Sequence, residues 1–271
     1  LCEGEPVPDH GTAAFLDLLG VPHLAPATTP FDPGYDPVTL EGHLAQSSHL
    51  MAGLKISMAC WLVADEAATR AKVAAAVRHG VEPLSGGGPF EVAGALGCLP
   101  EYLDLCADIG FGRIEAGEGF TTLAMTPAQV VQMAKERGLG VQCELGSKLT
   151  GSFDDAEVSE LLDQGRAWLD AGAEELVVEA RESAAGVGLF GSSGALDTNL
   201  AERFIDAFGL GTVVFEAPTK PSQFALLDHF GADVRLANVR LEELLRVEIY
   251  RRGLHADAFA QGRLAPPGPG R

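Results

Sequence analysis

This sequence has little positive charge. Only 19 Lys and Arg stand against 38 Asp and Glu, giving a formal net charge of −19 over 271 residues. Such a surface repels phosphodiester backbones and anionic headgroups, so neither nucleic acid nor a membrane is expected as a partner. Long apolar runs are also missing: none approaches the ~18 residues of a spanning segment. Glu3, Glu5 and Asp9 stand where a secretory signal would carry positive charge, so no signal peptide is expected. The five cysteines (Cys2, Cys60, Cys98, Cys106, Cys143) are odd in number and form no C-x-x-C pair. That argues against a disulfide frame or a structural zinc site and for reduced thiols in a cytoplasmic protein. Cys60 reads as a small core residue before it reads as a nucleophile. The seven histidines show no H-x-H or H-E-x-x-H spacing, which argues against a histidine-rich metal site. No G-x-G-x-x-G follows an early strand, so nothing marks a dinucleotide site.

Apolar runs of strand length are present in number. They are "HLAPATT" (23–29), "GLKIS" (53–57), "VEPLS" (81–85), "FGRIEAG" (111–117), "GVQCELG" (140–146), "ELVVEAR" (175–181), "TVVFEAP" (212–218) and "VRLANV" (234–239). Amphipathic segments lie between them. "TPAQVVQMAKERG" (126–138) offers Thr126 as a cap, Pro127 in the first turn and Gly138 as a stop. Segment 154–173 places Val158, Leu161, Leu162, Ala167 and Leu169 at helical spacing, and 221–231 and 241–253 behave alike. This alternation, with 46% hydrophobic residues to fill a core, predicts a single-domain (β/α)8 TIM barrel over 21–258. A doubly wound open sheet is the alternative. Residues 1–20 are expected as an N-terminal extension, and 259–271, rich in Pro and Gly at its end, as a disordered tail.

The strand ends share a chemistry. Taken in order they carry Asp32, Lys55, Glu82, Glu115, Glu144, Glu179 with Arg181, Glu216 and Asn238. A barrel gathers its carboxyl ends on one rim, where barrel enzymes build their sites. Buried carboxylates persist only beside cations or hydrogen-bond donors. This set therefore reads as a site for a metal ion and a small anionic substrate, with Asp32, Glu115, Glu144, Glu179 and Glu216 as metal candidates. Glu82, early in its strand, reads as structural. Glu179 and Arg181, two apart, would share one face of a strand, and an internal ion pair is the plain alternative for them. Lys148 follows the fifth strand; as a loop lysine it could equally be solvated. Gly86, Gly87 and Gly88 form either a flexible turn or a set of bare amides that can cradle an anion.

The motifs "DPG" (32–34), "LKIS" (54–57), "GGGPFEVA" (86–93), "IEAGEG" (114–119), "ELGSK" (144–148), "VVEARES" (177–183), "FEAPTK" (215–220), "RLANV" (235–239) and "GLHADA" (253–258) together resemble the ordered motif set of the phosphosulfolactate synthase family. The resemblance implies a (β/α)8 barrel that adds sulfite to phosphoenolpyruvate with Mg2+ through an enediolate-like intermediate. Because Lys148, Lys55, Arg181 and Lys220 each follow a different strand and can reach one central ligand, Lys148 is expected as proton donor, with Lys55, Arg181 and Lys220 holding anionic groups beside Gly86, Gly87, Gly88 and Asn238. The chain also departs from the family pattern. "KISMAC" stands where the family has Lys-x-Gly-x-Gly-Thr. Pro89 follows the glycines in place of Thr-Leu, and "EAGEG" stands for Ile-Ser-Asp-Gly. Ser147 takes the place of the first of two lysines, and Arg235 that of an Asn. The carboxylates of strands four to seven are kept while small polar contacts change, which points to retained metal and enolate chemistry on an altered substrate, or to a site partly decayed. Two alternatives remain: a lyase or isomerase acting on another enolisable acid, and a non-catalytic barrel with a binding or stress role. The expected partners are a small anionic substrate and further copies of the chain.

Overall fold

The computed structural model describes residues 11–56, 58–149 and 151–264. Among them are eight strands: β1 (Thr28–Asp32), β2 (Leu54–Ile56), β3 (Pro83–Ser85), β4 (Arg113–Gly117), β5 (Gly140–Leu145), β6 (Glu175–Val178), β7 (Val213–Glu216) and β8 (Arg235–Arg240). They close into a barrel in sequence order. Every neighbouring pair is parallel, including β1 with β8. The (β/α)8 expectation therefore holds, and the open sheet is excluded.

The first strand lies later than expected. Residues 23–27 carry no strand pairing, and β1 instead runs through Pro30 to Asp32. Proline has no N–H to give the ladder, and the β1–β8 register shifts between Thr29 and Pro30 to accommodate it. That shift breaks the alternation a sequence reading depends on. Of the other seven strands, six fall inside their expected spans and β8 runs one residue past its own, to Arg240.

Strand side chains alternate between the helices and the barrel interior. Ile114, Cys143, Leu145, Leu176, Val178 and Phe215 point outward into the main hydrophobic core, while Val177, Val214 and Ala237 form a separate small cluster inside the barrel. Below this cluster Arg113 pairs with Glu82, Glu174 and Glu175, and Glu175 with Arg235. Glu82 is thus part of an ion network at the amino end of the barrel. Above the cluster lie Lys55, Glu115, Glu144, Glu179 and Glu216.

The helices start where their caps require. Thr126 and Thr219 form capping boxes with Gln129 and Ser222, and Asp36, Asp154 and Asp197 accept from first-turn amides. Helix Thr12–Leu18, in the expected N-terminal extension, contributes no buried residue. At the other end, helix Ala256–Ala260 and the loop to Leu264 fold back, with Arg263 bonded to the Leu227 carbonyl at 2.8 Å and paired with Asp228. The expected tail therefore contains structure through 264, while residues 1–10, including Cys2, and 265–271 lie outside the described residues. No helix among those described is long and apolar enough to cross a membrane.

Candidate active site

At the carboxyl end of the barrel is a cavity of about 820 Å3. Its floor is built by strand ends. Lys55 on β2 reaches across to Glu115 on β4 (2.9 and 2.8 Å to the two oxygens), to Asn238 Oδ1 (3.0 Å) and to Glu216 on β7 (3.7 Å). Glu115 is the most fully bonded acid. Besides Lys55 it accepts from the Gly87 amide at 3.0 Å and the Gln142 side chain at 2.7 Å. Burial is the largest single influence and would push its carboxyl up, but the Lys55 charge and hydrogen bond, the Lys148 charge and the Gln142 hydrogen bond together hold it below the ordinary value. Burial would likewise lower the Lys55 ammonium; Glu115, Glu216 and Glu144 keep it above its usual range.

The other three acids are less well compensated. Glu216 accepts from the Ala180 and Arg181 amides (2.9 and 3.1 Å) and from the Asn238 side chain. Lys148, beyond β5, bonds Glu144 and lies 3.5 Å from Glu179 and 3.4 Å from Glu91. Burial, then the neighbouring Glu179 and Glu115 charges, push the Glu144 carboxyl well up. Burial pushes Glu216 up against the pull of Lys55. Burial and the adjacent Glu216 push Glu179 up to about 8. Oε2 of Glu179 is buried and accepts no hydrogen bond. The competition at Lys148, which sequence alone leaves open, is decided by its neighbours. Burial would lower the ammonium, but Glu144 and Glu179 hold it above its ordinary value and charged.

The structure brings most of the expected residues together: Lys55, Gly86, Gly87, Gly88, Glu115, Glu144, Lys148, Glu179, Arg181, Glu216 and Asn238 all line the cavity. Two it does not. Asp32 follows the inward Phe31, so the pleat turns it outward. There it pairs with Lys72 at 2.6 Å and accepts from the Gly34 and Tyr35 amides (2.9 and 2.7 Å). It is a structural acid holding β1 to helix Glu66–Arg78. Lys220 opens helix Lys220–Phe230 and turns to Asp257 at 3.4 Å over the Phe224 ring, away from the cavity.

Arg181 departs from the ion-pair alternative. β6 ends at Val178, and Arg181 adopts φ 54°, so the two-residue alternation no longer applies. Its guanidinium donates to the Lys148 carbonyl at 2.6 Å and makes no ion pair with Glu179 among the described residues. Its backbone N–H instead donates to both Glu179 and Glu216. The glycines are not a flexible turn. Gly86 caps helix Gly87–Ala95, and the Gly87 amide already holds an internal anion, Glu115. Cys60 begins helix Cys60–Val63 and is not part of the cavity wall.

Sequence reading missed Glu91 and Gln142. Glu91 is buried on the helix after β3, where its Oε2 accepts from the Phe120 and Thr121 amides at 2.8 and 3.0 Å. Nothing in its local sequence points there. Gln142 could have been found: it sits two residues before Glu144 and so shares its inward face.

A family model described as (2R)-phospho-3-sulfolactate synthase (ComA) matches residues 22–257. The chain is 29% identical over 235 residues to the phosphosulfolactate synthase of Methanocaldococcus jannaschii, covering 86% of this chain and 94% of that one. It is 30% identical to the phosphosulfolactate synthase of Methanothermobacter thermautotrophicus, covering 68% of this chain and 72% of that one, and 30% identical to that of Bacillus subtilis, covering 69% and 75%. Among solved structures, the YdjI aldolase of Escherichia coli K12 superposes with TM-score 0.54 at 12% identity, covering 91% of this chain and 93% of that one. A putative phosphonomutase of Burkholderia cenocepacia gives 0.53 at 16%, covering 88% and 93%. At such identity the likeness to these structures is one of fold.

Proposed function

The chain belongs to the phosphosulfolactate synthase family, a family of lyases, and on that premise we propose that its barrel mouth adds a sulfur nucleophile, sulfite or a relative of it, to phosphoenolpyruvate or a similar unsaturated acid. In the forward step the sulfur lone pair bonds to the methylene carbon. The C=C electrons move into the adjoining carboxylate as an enediolate, and C2 then takes a proton. The observation that carries this reading is the pairing of a charged lysine, Lys148, with acids that lack full compensation in one cavity.

The residues divide this work. Lys148 donates the proton to C2; it is charged at rest and less enclosed than Lys55, with side-chain exposures of 24% and 5%. Lys55, fixed by Glu115 and Asn238, faces the substrate carboxylate, and Arg181 closes over a second anionic group at the rim.

The donor set fits a divalent ion of the Mg2+ kind. Four inward carboxylates meet one buried and one half-buried ammonium, and Oε2 of Glu179, 3.5 Å from Lys148 Nζ, is a hard oxygen that accepts no hydrogen bond. Glu115 and Glu216 are occupied by amides and by the Lys55, Gln142 and Asn238 side chains, so Glu144 and Glu179 are the ligands of choice. Among the described residues no three acidic, His or Cys side chains are placed to share an ion. Mg2+ would thus rest on one or two carboxylates, completed by water and substrate oxygens, as is usual for it. Such an ion would supply charge stabilisation for the developing enediolate.

The test is calorimetry of Mg2+ and Mn2+ with the wild type and with Glu144→Ala, in the presence and absence of phosphoenolpyruvate. Binding that is weakened by the substitution supports the metal. Absence of binding in every case removes it.

A further inference from the structure

The cavity has two zones of different chemistry. Its floor is the charged layer of strand ends. Apolar side chains gather at its rim, Phe31 from within β1 and Pro33 after it, Met58 after β2, Phe120 after β4, Val187 after β6 and Pro218 after β7, alongside Arg181, Glu182 and Arg240. Met58 and Phe120 are 49% and 38% exposed, yet both face one opening rather than lying scattered over the surface. Apolar groups concentrated at a cavity mouth mark a binding surface.

Two further observations show that the rim is held in place. Met58 takes φ 51°, a left-handed conformation that most residues avoid, in a residue that lines the cavity. The Phe120 amide is fixed by the buried Glu91 carboxylate at 2.8 Å. The rim's Arg240 is paired with Glu242 and lies over the Phe31 ring, 5.8 Å from its centroid. At about 820 Å3 the cavity is near the upper part of the ~300–1,000 Å3 range of sites for ligands much larger than a three-carbon acid.

We propose that the unsaturated acid turned over here carries an apolar substituent, which lies against Phe31, Met58, Phe120 and Val187 while its acid group rests on the floor. This deepens the lyase reading and rests on it. Partial burial of one aromatic ring is worth about tenfold or more in affinity.

Calorimetry on the full chain with Mg2+ tests the proposal, using pyruvate and phenylpyruvate as mimics of a small and an arylated enolic acid. The wild type should bind phenylpyruvate at least about tenfold more tightly. In the Met58→Asn, Phe120→Ser double variant the ratio should fall towards one. Met58→Asn alone, which suits a left-handed backbone, should lower it in part and serves if the double variant does not fold. Lys55→Met should weaken both acids. Equal binding of the two acids by the wild type, or a ratio unchanged in the variants, overturns the apolar rim while leaving the lyase reading intact. A ratio that responds to the rim variants, with Lys55→Met having no effect on either acid, keeps the rim and overturns the floor. If neither acid binds, both fall together.

Discussion

Lys148 is a proton donor only if it holds its proton at rest, and Glu144 and Glu179 ensure that it does. Losing a general acid typically costs ~10²–10⁴-fold in rate. Lys148→Met should therefore lower kcat by about that factor, measured under chemistry-limited conditions, while substrate affinity changes little. Arg181 makes a different expectation possible now that its side chain is known to bond a carbonyl rather than Glu179. Arg181→Lys should weaken substrate binding through loss of the flat fork and leave the Tm within a degree or two, because no buried carboxylate loses its partner. A Tm shift with unchanged KM would return Arg181 to a structural role. Glu115, Glu144, Glu179 and Glu216 were legible as cavity-lining residues because each lies in or immediately after the carboxyl half of a regular strand. Asp32 was misassigned because one step of the pleat decides its face. Lys220 was misassigned because nothing local shows which way a helix-opening lysine turns.

Elements hold these residues at a cost that can be measured. Gly188 sits in the long β6 loop at φ +58°, and a Cβ there would come within 2.1 Å of the Glu179 carbonyl oxygen. Gly188→Ala should cost ~1–3 kcal/mol from the backbone conformation alone. It should also lower kcat, because the shift it forces falls on Glu179, whose carboxylate lines the cavity; paired Tm and rate measurements would show both. Lys72→Met tests the reassignment of Asp32. It strands a buried carboxylate, so it should destabilise by about 3–5 kcal/mol while the folded fraction keeps its kcat. A large loss of kcat with little change in stability would bring Asp32 back to the site. Seven strands were legible from apolar runs and their flanks. The first was not, because Pro30 within it reads as an interruption and the register shift that admits it is a property of the pairing with β8. The glycines after β3 read as a loop since their helix carries no side-chain cap.

For the whole molecule, the surplus of buried acid links stability to pH. In the ion-free protein Glu179 is pushed up to about 8, and Glu144 and Glu216 move the same way. Groups whose folded values are raised support folding most below the ordinary carboxylate range, and that support is lost as pH rises through the folded values. Glu115, held low, acts in the opposite sense on acidification below that range. In EDTA the Tm should therefore fall between about pH 5 and 9, and Glu179→Gln should flatten the fall. Because carboxylates must lose their protons to bind metal, Mg2+ should raise the Tm more at the alkaline end than at the acidic end. A flat profile in EDTA would mean that the acids are compensated in a way the structure does not show.

If the proposed chemistry is right, these groups together form a carbon–sulfur bond. Incubating the protein with phosphoenolpyruvate, other unsaturated acids, sulfite and thiols, with and without Mg2+, and following adducts by NMR tests it most directly. The result expected is a sulfur adduct at the methylene carbon of at least one acid, dependent on Mg2+ and reduced ~10²–10⁴-fold in Lys148→Met. An adduct formed equally without Mg2+ and by Lys148→Met, or none across the panel from folded protein that binds these acids, would contradict it.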